Sequence, residues 1–373
     1  MKYYIISGEA SGDLHASNLI KELKQLDPQF KARGWGGDRM EQEGVELVKH
    51  YRDLAFMGFI EVIANLRTIL GNIKLCKEDI LAYKPDVVIL IDYPGFNLRI
   101  AKFLKQHNIS CFYYISPQVW AWKEGRVKTI KEVVDKMFVI LPFEKPFYEK
   151  HNYAVDFVGH PLLDEIESIK DKLPAKESFY SENNLSEKPI IALLPGSRTQ
   201  EINKKLPVML EMKNKFPQYQ FVIAGAPSKD KDFYAPFIEG NEDVHLLLNK
   251  TYELLSFSHA ALVTSGTATL ETALFHVPQV VCYKGSAISY HIAKRLVNIE
   301  YISLVNLIMD EEVVKELIQH EFNSTNLEQE LGKIIEGSSR EAMLNNYDLL
   351  AKKLGKGGAS KKIAELMINY LTN

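Results

Sequence analysis

Two short turns in the second half of the chain combine small residues with groups that bind anions. One is Pro195-Gly196-Ser197-Arg198 and the other is Ser265-Gly266-Thr267-Ala268. Each follows an apolar run typical of a buried strand and precedes a predicted helix. Small residues let backbone N–H groups approach an anion, and a helix N-terminus adds partial positive charge. We therefore expect both turns to bind phosphate, with Arg198 as a fixed cation.

A carboxylate follows the second turn. Glu271 lies one helical turn further along, where its two oxygens would accept hydrogen bonds from two neighbouring hydroxyl groups. Phosphate at one end of the site and a diol at the other indicate a ribonucleotide.

Further candidates lie in the first half of the chain. The turn Gly8-Glu9-Ala10-Ser11-Gly12 follows the first predicted strand, but its spacing is not that of a dinucleotide-binding loop. Gly8 and Gly12 would make a tight turn, and Glu9 and Ser11 either contact substrate or serve the turn alone. Asp92 ends the apolar strand 87–91. It is either a general base, with its pKa raised by apolar neighbours, or a cap for the following helix.

The elements that position these residues are apolar runs separated by room for helices. The runs are 3–7, 87–91, 111–115, 137–141 and 155–158, then 190–194, 221–224, 244–247, 260–263 and 277–283. Such strands, alternating with amphipathic helices, predict parallel sheets covered on both faces. From about residue 310 strand signals end and helical periodicity persists. We expect α/β domains at 1–165 and 166–340, followed by helices at 341–373 that pack on the first domain or on a partner subunit.

Composition excludes several classes of protein. The chain has 373 residues, 46% of them hydrophobic, and a net charge of −3, which is typical of a soluble two-domain protein. No basic stripe indicates nucleic-acid binding. The three cysteines are far apart, as in a reduced cytosolic protein. We expect neither a signal peptide nor a membrane-spanning helix, and no metal site, because the histidines lack ligand spacing.

The segment 56–70 is unusually apolar for a single helix. Phe59, Ile63 and Leu70 fall on one stripe, as in ordinary core packing. Met57, Ile60 and Ile69 widen the apolar surface beyond that stripe, as in a face that enters a membrane interface. The residues alone leave both interpretations open.

Six motifs, taken in order, make the sequence resemble the lipid-A-disaccharide synthases. They are Gly8-Glu9-Ala10-Ser11-Gly12-Asp13, Ile91-Asp92-Tyr93-Pro94-Gly95-Phe96-Asn97, Ser116-Pro117-Gln118-Val119-Trp120-Ala121-Trp122, Leu141-Pro142-Phe143-Glu144, Leu194-Pro195-Gly196-Ser197-Arg198 and Ser265-Gly266-Thr267-Ala268-Thr269-Leu270-Glu271. The likeness runs from residue 3 to about residue 310. Each motif is weak alone, whereas the ordered set is specific.

This resemblance implies a GT-B glycosyltransferase, with two Rossmann-like domains facing across a cleft and no metal or other cofactor. It implies transfer from UDP-2,3-diacylglucosamine to 2,3-diacylglucosamine 1-phosphate, which gives a β-1,6-linked disaccharide and UDP. It makes Asp92 the general base and Arg198 the residue that stabilises the departing diphosphate. It also implies that both turns, Glu271 and Asn306 bind UDP.

Acylated substrates favour the membrane interpretation of 56–75, on the cytoplasmic face of the inner membrane. The helical C-terminus would also allow a homodimer. Two departures from the family pattern are Gly95, where many relatives carry a second acid, and the bulky Tyr93. Two alternatives share the phosphate and ribose loops: another enzyme acting on UDP-N-acetylglucosamine, such as a 2-epimerase, and a non-catalytic UDP-sugar-binding regulator.

Overall fold

The computed structural model describes residues 1–54, 66–122, 124–241, 243–285 and 300–372. The chain divides into two compact units. Unit 1 comprises Met1–Glu165 and the chain from Gly355 onward, and unit 2 comprises Ile166–Leu354. The segment that belongs with unit 1 thus begins at residue 355, after the start of 341 expected from the sequence.

Unit 1 is built on a seven-stranded parallel sheet. Its strands are β1 (Lys2–Ser7), β2 (Lys31–Gly36), β3 (Glu46–His50), β4 (Val87–Ile91), β5 (Ser110–Tyr114), β6 (Lys136–Val139) and β7 (Asp156–Phe157). Their order is β3-β2-β1-β4-β5-β6-β7. The helices are Ala10–Leu26, Asp38–Gln42, Leu66–Tyr83, Pro94–Gln106, Arg126–Val133, Glu144–Lys150 and Ala359–Thr372, with Leu162–Lys170 crossing the division between units.

Both faces of this sheet are buried. Tyr4 and Ile6 of β1 pack in one apolar cluster, and Tyr3 and Ile5 pack in the cluster on the opposite face. The continuous apolar runs seen in the sequence follow from this, since strands covered on both sides need no polar face.

The last helix, Ala359–Thr372, belongs to the core of unit 1. Its residues Ile363, Ala364 and Met367 share a buried cluster with Leu19 and Leu23 of the Ala10–Leu26 helix. Asp164 accepts hydrogen bonds from the backbone N–H groups of Ala359 at 3.2 Å and Ser360 at 2.8 Å. The carboxylate therefore satisfies donors that the helix N-terminus leaves unpaired.

Unit 2 has a six-stranded parallel sheet. Its strands are β8 (Ile190–Leu194), β9 (Gln220–Gly225), β10 (Val244–Leu248), β11 (Ser258–Thr264), β12 (Gln279–Tyr283) and β13 (Lys315–Ile318), in the order β10-β9-β8-β11-β12-β13. The helices are Lys176–Glu182, Thr199–Leu210, Lys231–Ile238, Thr251–Ser256, Thr267–Leu274, Leu304–Met309, Ser324–Ile335 and Ser338–Leu354. Short 3₁₀ turns occupy Tyr51–Leu54 in unit 1 and Glu211–Asn214 in unit 2.

One strand lies where only helices were expected. β13 follows residue 310, and its sequence Lys-Glu-Leu-Ile carries two charges in four residues. Glu316 is buried because its carboxylate accepts hydrogen bonds from the backbone N–H groups of Ile302 and Ser303. Because two of its four residues are charged, this strand is not recognisable in the sequence as an apolar run.

Each sheet has one point where the strand order reverses direction. In unit 1 it lies between β1 and β4, and in unit 2 between β8 and β11. Ligands of open parallel sheets bind beyond the carboxyl ends of the strands at such switch points. The turns singled out in the sequence follow these four strands.

Candidate active site

The two phosphate-binding candidates of unit 2 lie side by side. Leu194 of β8 pairs with Val263 of β11, so the turns that follow begin on neighbouring strands. Gly196 has a φ of 109° and Gly266 a φ of 131°, values that L side chains rarely adopt. Only glycine gives both turns this backbone without strain.

The first turn leads into the Thr199–Leu210 helix, with Arg198 at its N-cap. Ser197 and Arg198 are exposed, and Gly196 is half-buried. The Arg198 guanidinium lies 3.4 Å from Oε1 of Glu201. A Cβ atom at Gly196 would stand 2.5 Å from Oε2 of the same glutamate, so a larger residue there would displace the Glu201 side chain.

The second turn leads into the Thr267–Leu274 helix. Ser265, Gly266, Thr267 and Ala268 are all half-buried. The Ser265 hydroxyl donates to the carbonyl of Ile302 at 2.7 Å. Ser265 therefore fastens the turn to the chain that enters the Leu304–Met309 helix.

Glu271 is held by a residue that the sequence did not reveal. The Tyr252 hydroxyl donates to Oε1 of Glu271 at 2.8 Å, and the Tyr252 ring packs on Phe275 at a centroid distance of 5.4 Å. This contact fixes one carboxylate oxygen of the expected diol-binding residue. Tyr252 comes from the Thr251–Ser256 helix, nineteen residues away in sequence, and no local motif marks it.

Asn306 is fully buried, with both side-chain atoms engaged. Its Nδ2 donates to the Val314 carbonyl at 2.9 Å and to Oε1 of Glu316 at 3.0 Å, and its Oδ1 accepts from the backbone N–H groups of Val313 and Val314. Because Glu316 also holds Ile302, this network ends at the residue that Ser265 contacts. Asn306 therefore supports the second turn indirectly, through Glu316 and Ile302.

The acceptor-side candidates of unit 1 are also brought together. Ser7 of β1 pairs with Ile91 of β4, so the Gly8–Gly12 turn and Asp92 leave adjacent strand ends. A Cβ atom at Gly8 would lie 2.4 Å from Cγ of Tyr93. At Gly12 it would lie 2.5 Å from the Ser7 hydroxyl. Glu9 is half-buried and Ser11 is exposed.

Asp92 stands in a left-handed backbone conformation. Its φ is 43°, and that of Tyr93 is 49°. Two such residues in succession cost on the order of 1–3 kcal/mol each and persist only where the surroundings hold them. The Tyr113 hydroxyl donates to the Asp92 carbonyl at 2.6 Å, and Nδ2 of Asn97 donates to it at 2.8 Å. The N-cap of the Pro94–Gln106 helix is Tyr93, so Asp92 is not the N-cap residue.

The environment of Asp92 suits a base. Burial raises the pKa of its carboxyl from 3.8 to about 7, the negative charge of Glu9 adds to the effect, and the backbone N–H of Tyr93 opposes it. A carboxyl with that pKa is partly ionised at neutral pH and can take up a proton there.

Two tryptophans of the Ser116–Trp122 motif and His160, which also follow strands of unit 1, differ in their exposure. Trp120 packs edge-on against Phe143 at 4.8 Å, whereas Trp122 is 40% exposed. His160 is buried and its Nδ1 accepts from the backbone N–H of Leu162 at 3.1 Å. Burial lowers the pKa of His160 to about 3, so it is a neutral packing residue.

The apolar segment is described only from Leu66 onward. Met57, Phe59, Ile60 and Ile63 lie outside the described residues. Ile69 is half-buried and packs against the core of unit 1, while Leu70 is 53% exposed. Leu75 and Leu81, on the same helix, are 44% and 42% exposed.

Two absences hold for the described ranges. No helix there is long and apolar enough to cross a membrane. No group of three His, Cys, Asp or Glu side chains in those ranges is arranged to hold a metal ion.

Known structures share this architecture. A UDP-GlcNAc 2-epimerase from Neisseria meningitidis, solved with UDP-GlcNAc, matches with a TM-score of 0.69 at 16% identity, covering 99% of this chain and all of that one. MnaA from S. aureus, solved with UDP, matches with a TM-score of 0.71 at 14% identity, covering 100% of this chain and 97% of that one. The fold is therefore that of the GT-B class, as expected.

Sequence relatives narrow the class. A lipid-A-disaccharide synthase of Geobacter sulfurreducens is 38% identical over 373 residues, which is 98% of this chain and 96% of the relative. One from Coxiella burnetii is 37% identical over 372 residues, or 98% of each chain. The family model described as lipid-A-disaccharide synthetase matches residues 3–367.

The chain belongs to the lipid-A-disaccharide synthetase family. It is thus a glycosyltransferase of lipid A biosynthesis, as the ordered motifs implied.

Proposed function

We propose that this enzyme transfers 2,3-diacylglucosamine from UDP to the 6-hydroxyl of 2,3-diacylglucosamine 1-phosphate. The products are a β-1,6-linked disaccharide 1-phosphate and UDP. The observation that carries the proposal is the chemistry at the two switch points. One holds a carboxyl whose pKa is raised to about 7, and the other holds two glycine turns beside an exposed arginine.

Asp92 is the general base in this proposal. Its carboxylate takes the proton of the acceptor 6-hydroxyl, and the freed oxygen forms a bond to the anomeric carbon of the donor sugar. The bond from that carbon to the diphosphate oxygen breaks, and the electron pair leaves with UDP. Displacement from the face opposite the leaving group inverts the anomeric carbon, which gives the β linkage.

The leaving group is proposed to bind at unit 2. Charge that develops on the diphosphate needs donors that are already in place. Backbone N–H groups of Gly196, Ser197 and Gly266–Ala268 lie at two helix N-termini, and the Arg198 guanidinium adds a fixed charge. Glu271, oriented by Tyr252, would accept the two ribose hydroxyls. Asn306 would contribute by supporting the Ser265 turn through Glu316 and Ile302.

The acceptor is proposed to bind at unit 1. Glu9 and Ser11 lie in the turn beside Asp92, and the lack of a side chain leaves room for the Tyr93 ring at Gly8 and for the Ser7 hydroxyl at Gly12. We propose 1–165 as the acceptor and lipid-side domain and 166–340 as the UDP-sugar domain.

We also propose a peripheral position on the cytoplasmic face of the inner membrane. Support comes from exposed Leu70, Leu75 and Leu81 on the Leu66–Tyr83 helix, with Lys74 and Lys77 beside them. Acyl chains of both substrates would then stay near the bilayer. A homodimer has weaker support, because the Ala359–Thr372 helix already packs on the Ala10–Leu26 helix.

The test is to incubate the purified enzyme with both acylated glucosamine substrates and to separate the products. Equal amounts of disaccharide 1-phosphate and UDP support the proposal. UDP binding without a disaccharide would favour the non-catalytic alternative, and conversion of the donor to its 2-epimer would favour the epimerase.

A further inference from the structure

We propose that Lys205 is a positioning residue for the leaving-group site. It connects the two phosphate-binding turns, and with Arg198 it neutralises the carboxylate of Glu201. This inference rests on the proposed function, because it concerns the diphosphate of the same donor. No motif in the sequence marked Lys205.

Lys205 is buried in an unusual way for a lysine. It lies on the inner side of the Thr199–Leu210 helix, and its side chain is 1% exposed. Burying an ammonium group costs several kcal/mol unless partners compensate. Its Nζ donates a hydrogen bond to the Thr264 hydroxyl and lies 3.7 Å from Oε2 of Glu201. These two polar partners compensate for the burial of the ammonium group.

The partners of Lys205 belong to different turns. Glu201 is on the helix that follows the first turn, and Thr264 is the last residue of β11, directly before Ser265. A Cβ atom at Gly196 would lie 3.4 Å from Nζ. The ammonium group thus lies close to the first turn and is hydrogen-bonded to the residue that directly precedes the second turn. It fixes the spacing of the two sets of N–H donors.

Glu201 gives Lys205 a second effect. One Glu201 oxygen faces Arg198 at 3.4 Å and the other faces Lys205 at 3.7 Å. Two cations and one carboxylate leave a net charge of +1 at the turn. Without Lys205 the remaining pair would be neutral, and Glu201 would offset the arginine that a diphosphate needs. Burial lowers the pKa of Lys205, and the negative charge of Glu201 opposes that effect, so Glu201 helps to keep the lysine charged.

The substitution Lys205→Met tests this by removing the charge while keeping a long apolar side chain. Lys204→Met is the matched control, because it removes the same charge one residue away on the same helix. Calorimetry would measure the binding of UDP and of uridine to each variant at one ionic strength. Uridine shares the base and ribose but lacks the diphosphate.

We expect K205M to weaken UDP binding about tenfold, the effect of one unit charge several ångströms away at an effective dielectric constant of about 20–40. Uridine binding should change less than about twofold, and K204M should leave both ligands unaffected. The second substitution Glu201→Gln, placed in K205M, returns the net charge of the turn to +1. That double variant should recover the part of the UDP affinity that comes from charge, while the part that comes from the hydrogen bond to Thr264 stays lost.

Three results would overturn the inference: unchanged UDP binding in K205M, equal loss of UDP and uridine, or no recovery in the double variant. If K205M does not fold, Glu201→Gln alone decides the matter, since it should strengthen UDP binding and weaker UDP binding would refute the charge-sharing role. A wild-type enzyme that binds UDP no better than uridine would instead refute the proposed phosphate turns.

Discussion

Glu9→Gln should move the pH dependence of turnover without abolishing it. The carboxyl of Asp92 has its pKa raised to about 7, first by burial and second by the charge of Glu9. The substitution removes only the second cause. A base works when deprotonated, so kcat/KM of the wild-type enzyme should rise with pH through about 7.

Sheet geometry sets the size of the effect. Glu9 and Asp92 each follow one of two paired residues, Ser7 and Ile91, on strands about 4.8 Å apart, and we take a carboxylate separation on the order of 10 Å for the calculation. At an effective dielectric constant of about 20, two like charges at that distance repel by about 1.7 kcal/mol. That energy corresponds to roughly one pH unit. The midpoint should therefore fall by about one unit and stay well above the ordinary aspartate value, because burial is unchanged.

The assay is UDP release at subsaturating acceptor between pH 5 and 9, at constant ionic strength. The midpoint of the profile is the readout, because E9Q can also alter acceptor affinity and so the height of the curve. Glu149→Gln, which removes an exposed carboxylate from unit 1, is the control and should keep the wild-type midpoint. An E9Q midpoint that stays in place or rises would refute the account of Asp92.

Four further substitutions test the other parts of the site. Asp92→Asn should abolish turnover and leave UDP affinity within a few-fold; a large affinity loss would move Asp92 to the nucleotide side. The pKa of Asp92 is higher in the folded protein than in the unfolded chain, so ionisation of Asp92 destabilises the fold as the pH rises from about 4 to about 7. Compared with the wild-type enzyme, D92N should therefore have a free energy of unfolding that is higher by up to about 4 kcal/mol above pH 7 and equal at pH 4. Arg198→Ala should slow turnover by about 10²–10³-fold, equivalent to about 2.7–4 kcal/mol, and near-normal turnover would contradict its role. Glu271→Gln should shrink the difference in affinity between UDP and 2′-deoxy-UDP, as measured by calorimetry; an unchanged difference would exclude diol recognition. Leu70→Ser should release the protein from vesicles of anionic lipid without lowering its thermal stability. Unfolding of this variant would instead show that Leu70 packs in the core.

Features encoded by neighbouring residues could be predicted from the sequence. The apolar runs at 190–194 and 260–263 correspond to β8 and β11, and the turns after them follow from small residues at strand ends. Asp92 is recognisable for the same reason, because it directly follows β4. Parallel topology then brings such residues to one edge of a sheet.

Features that depend on distant contacts could not be predicted. A lysine in a helix is expected on the surface. Lys205 is buried instead, and it hydrogen-bonds to Thr264, which is fifty-nine residues away in the sequence. Tyr252 acquires a role only when its helix meets the Thr267–Leu274 helix. The hydrogen bonds of Asn306 to Val314 and Glu316 were also not predictable, because the charges of Lys315 and Glu316 concealed strand β13 in the sequence.

The most direct test of the account is product formation by the wild-type enzyme and by D92N, each supplied with UDP-2,3-diacylglucosamine and 2,3-diacylglucosamine 1-phosphate. We expect the wild-type enzyme to form one β-1,6-linked disaccharide 1-phosphate for each UDP that it releases. We expect no detectable disaccharide from D92N, although that variant should still bind UDP. Disaccharide formed at a wild-type rate by D92N, or none formed by the wild-type enzyme, would contradict it.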